Sequence, residues 1–358
     1  MDRSKPAYRT EADMTLPPLL IRADASTEIG TGHVMRCLAL AQAWQDKGGG
    51  VTYCCATLPQ TLHTRLVTEQ ITVRRLDAMA GSANDAESVI ALAREIGAEA
   101  VVVDGYVFGS EYQKLIKNAG LRLLFIDDYG HAEHYYADFV LNQNAHADTI
   151  TYVNRESNTQ LLLGTRYALL RREFWPWRGR KRPTVPQANK LLVTMGGSDP
   201  DNITMRLLDK LTSILDDKAV HIKTVVGGSN PHLDSLLLRA NREHGRIDIL
   251  QNVHDMPALM ACADMAISAG GTTLWELALL GVPTCAIVIA ENQLGSVEAF
   301  SDGGAIETLS LSEDVALFIE ELRTNPARRA ALSNRSQHAV DGYGVERVID
   351  SMLRGSTL

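Results

Sequence analysis

The sequence contains no run approaching the roughly 20 apolar residues that cross a bilayer. Residues 1–17, MDRSKPAYRTEADMTLP, also lack the apolar centre of a secretory signal. A cytoplasmic protein without membrane insertion is expected, with residues 1–17 as a disordered tail. Cysteine is scarce: Cys37, Cys54, Cys55, Cys262 and Cys285 all lie in apolar runs, and no Cys-x-x-Cys spacing occurs. That excludes a disulfide framework and points to reduced, buried thiols. Positive charge is in deficit, 35 Lys and Arg against 43 Asp and Glu, and the net charge of −8 argues against a nucleic-acid partner. Short-period repeats and low-complexity segments are missing too. What remains is a chain of 358 residues, 45% hydrophobic, long enough for two domains.

From Leu19 short apolar runs alternate with helical stretches. LLIRAD, VTYCCA, ITVRRL, AVVVDGY, LRLLFID and ADFVLN read as strands, with helices beginning at His33, Asn84 and Ser110. Such alternation predicts a parallel sheet covered on both faces. The stretch 171–189, RREFWPWRGRKRPTVPQAN, interrupts it with three prolines and a basic run. The alternation resumes with KLLVTMGG, VHIKTVVGG, RIDILQNV, ADMAISAGG and PTCAIVI, separated by helices near 201–215, 231–244 and 272–280. The expected architecture is α/β, with two doubly wound Rossmann-like domains facing across a cleft. Residues 18–172 form the first domain, 173–189 a linker and 190–358 the second, whose sheet the helices after Ser312 cover. Ligands in such sheets bind beyond the carboxyl ends of the strands, here in the cleft.

Three glycine turns open helices there. In IRADASTEIGTGHVMRC, Gly30 and Gly32 flank a turn and His33 begins the helix. Neither a dinucleotide fingerprint nor an ATPase phosphate loop fits this spacing. His33 either works in the cleft or merely hydrogen-bonds within its first turn. Asp24, ending the first strand, either orients His33 or pairs with Arg22 or Arg36. In the second half, MGGSDPDN with Gly197 and Ser198, and AGGTTLWE with Gly271, Thr272 and Thr273, offer backbone donors that suit a diphosphate without a metal. Glu276, one helical turn after Thr272, either accepts from two ribose hydroxyls or pairs with an arginine. GGG at 48–50 reads as a helix terminator. In DDYGHAEHYYAD, Asp127, Asp128, His131, His134 and Asp138 are read as a solvated loop rather than a metal site.

IRADASTEIGTGHVMRCLALA, VVVDGY, FIDDYG, LNQN, LLLGTRYALLRREF, MGGSDPDN, AISAGGTTLWELALLGVP, ENQ and DGYGVERV, in this order from about Leu19 to Arg347, resemble the nucleotide-sugar hydrolases of pseudaminic acid biosynthesis. Those enzymes act on UDP-2,4-diacetamido-2,4,6-trideoxy-β-L-altropyranose. The resemblance implies a GT-B-like fold related to the peptidoglycan N-acetylglucosaminyltransferase, with the sugar in the first domain and UDP in the second. It implies displacement of UDP by water with inversion, no metal or cofactor, a small-molecule partner, a monomer, and a place in flagellin glycosylation or surface-polysaccharide synthesis. It puts the catalytic His at His33, the active-site Tyr at Tyr106 and the cleft Asn at Asn292, beside Gln293. The nucleotide contacts fall on Gly271, Thr272, Thr273 and Glu276, with uracil near Val253 and Arg171 as a substrate contact. A glycosyltransferase or a non-catalytic nucleotide-sugar-binding protein on the same skeleton is the alternative. The Trp175-Pro176-Trp177 segment departs from the family pattern; it either alters the sugar pocket or pins the domains.

Overall fold

The structure, a computed structural model, describes residues 16–354 except 27, 198, 229 and 313. The expected tail lies outside these apart from Leu16 and Pro17, whose carbonyl accepts from the Trp44 indole at 3.0 Å. The first half forms a seven-stranded sheet from β1 (Leu19–Ala23), β2 (Val51–Cys55), β3 (Thr72–Arg75), β4 (Ala100–Asp104), β5 (Arg122–Ile126), β6 (Phe139–Asn142) and β7 (Gln160–Leu163). All pairings are parallel, in the order β3-β2-β1-β4-β5-β6-β7. Helices α1 (Gly32–Asp46), α2 (Gln60–Thr68), α3 (Ala83–Ile96) and α4 (Ser110–Asn118) connect them. β1, β2 and β4 are buried along their whole length, as strands covered on both faces must be. Of these elements α2 and β7 were not anticipated; β7, QLLL, pairs at the sheet edge and is only partly buried.

The second half repeats the winding. β8 (Lys190–Thr194), β9 (His221–Val226), β10 (Ile247–Gln251), β11 (Met265–Ala269), β12 (Thr284–Ile287) and β13 (Glu307–Thr308) form a parallel sheet in the order β10-β9-β8-β11-β12-β13. Its helices are α5 (Ile203–Lys210), α6 (Leu233–Asn241), α7 (Met256–Cys262), α8 (Thr273–Leu279), α9 (Leu294–Asp302), α10 (Val315–Thr324) and α11 (Pro326–Ala339). Local chemistry sets their ends: Asp255 and Asn325 cap α7 and α11 through side-chain oxygens, and a proline follows in the first turn of each. Cys262, ending α7, is exposed rather than buried; the other four thiols are buried.

The last helix, α12 (Gly344–Arg354), departs from the expected arrangement. Val345, Val348, Ile349 and Met352, at i, i+3, i+4 and i+7, pack with Leu38, Leu19 and Ile21 in the first-domain core. The cause lies in α1, buried from His33 to Trp44 on nearly every side, which needs a cover on the face turned away from its own sheet. Gly344 permits the return, because a Cβ there would fall on the backbone of Ala168. Between the domains, the 3-10 turn Arg172–Trp177 sends Trp175 against the first core and Trp177 against the second. Arg178 stacks over Trp175 and Tyr343, 4.8 and 4.6 Å from their ring centroids, and pairs with Glu346 at 2.5 Å. The tryptophans pin the domains.

Under β1 the Arg22 guanidinium is fully buried and meets Asp85 through Nε at 3.0 Å and NH2 at 3.0 Å. Asp85 also accepts from Gly81 N at 2.9 Å, at the start of α3. Asp85→Ala leaves that cation buried with its second partner, Asp24, alone, and should cost about 3–5 kcal/mol. Urea melts of the variant should show the loss, and an Arg22→Met/Asp85→Leu double variant should lose less.

Candidate active site

In each sheet the strand order reverses at one place, between β1 and β4 and between β8 and β11. Crevices open at such points. The first holds a buried ionic cluster. The turn after β1 swings through Gly30, whose φ of +79° suits glycine, and delivers His33 in the first turn of α1. β4 ends on Asp104, and the two meet with His33 Nδ1 2.7 Å from Asp104 Oδ1. Arg36, one turn further along α1, donates to Asp104 through Nε and NH2, both at 2.7 Å. Its remaining face donates to Asp128, beyond β5, from NH1 at 2.8 Å and NH2 at 3.0 Å.

Arg36 NH2 also lies 3.1 Å from His33 Nδ1. A guanidinium only donates, so Nδ1 cannot accept from it while donating to Asp104; the shorter contact to a carboxylate decides for a protonated Nδ1. Nε2, on the opposite edge of the ring, is then the atom able to take a proton. Burial opposes the Asp104 charge, but Arg36 and His33 outweigh it and hold this carboxyl well below its usual range. Asp128 is lowered for the same reason, Arg36 overcoming burial.

Tyr106 follows β4, its ring edge-on to His33 with centroids 4.9 Å apart. Its hydroxyl donates to Asp128 Oδ2 at 2.8 Å and accepts from Asn292 Nδ2 of the second domain at 3.0 Å. Burial and the adjacent Asp128 charge raise the phenol above its normal range, so it stays neutral. His33, Tyr106 and Asn292 thus converge across the cleft. Asp24 does not orient His33. Its Oδ1 accepts from Ala56 N and Thr57 N at 2.7 and 2.9 Å, and its Oδ2 lies 2.7 Å from Arg22.

The second crevice carries the glycine turns. Gly197, after β8, faces Thr31 of the first domain and lies against Gly227, where a Cβ would fall on the Gly197 carbonyl. Ser198 lies outside the described residues. Gly271 and Thr272 precede α8 and Thr273 begins it; among the described residues their backbone N–H groups donate to no protein acceptor. Gln293 holds the framework: its Oε1 accepts from Gly270 N at 3.1 Å and Ile289 N at 3.2 Å. Val253 is half-buried in the loop after β10. Glu276 Oε1 takes Arg171 NH2 at 2.7 Å, and Arg171 reaches Glu173 through NH1 at 2.7 Å. The arginine pairing therefore occupies one Glu276 oxygen and joins the domains. Gly32 begins α1, directly before His33.

The acidic, histidine-bearing loop disperses. Asp128 serves Arg36, His134 pairs with Glu156 at 2.9 Å, and Asp138 binds Lys117 at 2.7 Å. Among the described residues no group of three or more His, Cys, Asp and Glu is placed to hold a metal, and no helix is long and apolar enough to cross a membrane. Asp127 instead binds His131 Nδ1 at 2.7 Å and accepts from Tyr135 Oη at 2.9 Å. Sequence reasoning left Asp104 and the buried role of Arg36 unassigned, and it read Asp127 and Asp128 as part of a solvated loop, whereas their ion pairs and hydrogen bonds hold both buried. The readable signal was Arg36 three residues after His33 on one helix, with aspartates ending two neighbouring strands.

The fold is GT-B, two parallel-sheet α/β domains across a cleft, and residues 191–341 match the glycosyltransferase family 28 C-terminal domain. Over 95% of the chain it superimposes on all of MurG from Acinetobacter baumannii, with a TM-score of 0.63 at 16% identity. Two curated homologues, 26 and 27% identical, carry the name of UDP-2,4-diacetamido-2,4,6-trideoxy-β-L-altropyranose hydrolase. The Campylobacter jejuni hydrolase aligns over 77% of this chain and 93% of its own length. A spore coat polysaccharide biosynthesis protein of Bacillus subtilis is 30% identical over 60% of the chain. The chain spans 63% of that protein and 56% of an uncharacterized protein of Methanocaldococcus jannaschii, the first two curated relatives it matches.

Burial favours the neutral acid at Asp127, but the bonds from His131 and Tyr135 prevail and hold its pKa at about 2. A lowered folded-state pKa gives stability that is present above the ordinary value of 3.8 and lost as the pH falls towards 2. Asp127→Asn should cost about 2 kcal/mol near neutrality. The gap between variant and wild type, followed by urea denaturation at several pH values, should narrow below pH about 4.

Proposed function

We propose that the protein is a UDP-sugar hydrolase that releases UDP from UDP-2,4-diacetamido-2,4,6-trideoxy-β-L-altropyranose in pseudaminic acid biosynthesis. Water attacks the anomeric carbon with inversion, without a metal, in a cytoplasmic monomer. The observation that carries this reading is the Asp104–His33 pair at the first switch point, 2.7 Å apart and wedged against Tyr106. The substrate is taken from the hydrolase name of the homologues.

In this mechanism the oxygen of water bonds to the anomeric carbon as the bond to the β-phosphate oxygen breaks, its electron pair leaving with UDP. The water proton passes to His33 Nε2, and Asp104 stabilises the imidazolium that forms. Tyr106 and Asn292 contact the sugar at the closed cleft. The N–H groups at Gly271, Thr272 and Thr273, which donate to no protein acceptor among the described residues, receive the charge growing on the diphosphate, and Gly197 and Ser198 belong to the same diphosphate site. Glu276 offers its second oxygen to the ribose while Arg171 retains the first, and Val253 meets uracil. Gly32 and Gln293 shape the same site.

The match to a glycosyltransferase C-terminal domain favours a second reading, in which a sugar hydroxyl replaces water. Time-resolved proton and phosphorus NMR with the diacetamido substrate, in EDTA and without acceptor, separates the two. Appearance of UDP and free sugar with inverted configuration supports hydrolysis; an intact substrate that is consumed only when an acceptor sugar is added overturns it. His33→Ala should lower turnover at least about 10²-fold with UDP still bound. Glu276→Ala should weaken UDP binding measured by calorimetry; an unchanged affinity removes Glu276 from the ribose.

A further inference from the structure

Among the described residues Asp128 hydrogen-bonds to neither His33 nor the second domain, yet it links the two through its partners. It binds Arg36 on one side and the Tyr106 hydroxyl on the other, and Asn144 Nδ2 donates to its Oδ1 at 2.9 Å. Tyr106 in turn takes Asn292 from across the cleft at 3.0 Å. A continuous path therefore runs Asn292–Tyr106–Asp128–Arg36–Asp104–His33. Arg36 has its Nε, NH1 and NH2 committed to the two carboxylates. Without Asp128, its outer face would lie buried and unpaired, free to turn from Asp104.

Charge gives the arrangement its purpose. Arg36, Asp104 and Asp128 together carry one net negative charge in a nearly dry site, with each residue under a tenth exposed. We propose that Asp128 is a positioning residue that locks Arg36 onto Asp104, so that Asp104 stays aligned on His33 Nδ1, and that it ties this cluster to the Tyr106–Asn292 contact across the cleft. The proposal rests on His33 as the base. Other titratable groups facing this cluster are Cys37 on α1, Tyr106 after β4, Tyr129 and His131 after β5, and His146 after β6.

The test reads His33 itself, so it does not require turnover. In full-length protein with nitrogen-15-labelled histidine, the Nδ1–H proton of the His33–Asp104 hydrogen bond is followed by NMR at one fixed pH, His33 being assigned by the signal lost in His33→Ala. Asp128→Asn should displace or broaden that signal, and Asp128→Glu should restore it. Tyr106→Phe, at a side chain exposed enough to tolerate the change, removes a donor from Asp128 and should also displace it. Rescue by glutamate is not expected from loosened packing alone. A signal unchanged in Asp128→Asn that still binds UDP, or in Tyr106→Phe should the first variant fail to fold, overturns the proposal. If instead the shifts occur but wild type leaves the diacetamido substrate intact, the coupling stands and the hydrolase reading falls.

Discussion

A guanidinium buried between two carboxylates governs the first domain. Arg36 is fixed by its place on α1, and its charge cannot be left alone away from water. Asp104 and Asp128 must therefore arrive from the ends of two different strands at the right height, which fixes the relation of α1 to β4 and to β5. The imidazole is held as a by-product of that compensation. Its Nδ1 finds a carboxylate already aligned by Arg36.

Around this centre the domains touch through polar pairs as well as apolar contacts. Arg171 with Glu276, Tyr106 with Asn292, and Ser296 with His146 at 3.3 Å all cross the cleft. Apolar anchoring comes from Ala168 and Leu170, buried in the second-domain cluster, and from the connecting turn, where Trp175 and Trp177 each face a different core. Polar pairs can trade partners for water at modest cost. The glycine contact at Gly197 and Gly227 gives the second domain a backbone surface with no side chain to shield it.

The fold was largely legible because both sheets are parallel and covered. Buried strands such as VTYCC and AVVVD advertise themselves as apolar runs, and glycine turns mark where helices begin. Helix α12 escaped because its amphipathic pattern states that it covers something without saying what; only the unusually apolar circumference of α1 hinted at the partner. His33 stood out through the glycine turn that opens its helix, while Tyr106 and Asn292 were singled out only through family likeness. The carboxylates that give His33 its character were not found, since an aspartate ending a strand looks the same in sequence whether it faces a ring, an arginine or water. Asp24 showed that ambiguity, spending one oxygen on the Ala56 and Thr57 amides and the other on Arg22.

The return of α12 to the first domain also bears on how the polypeptide is made. Domains tend to fold in the order in which they leave the ribosome. Here the outer cover of α1 is translated after every strand of the second sheet. The earlier domain must wait with Leu38 and its neighbours uncovered while its successor emerges and folds. Completion of the first core thus becomes a late act of assembly, and a nascent chain acquires a finished first domain only once the second has been synthesised.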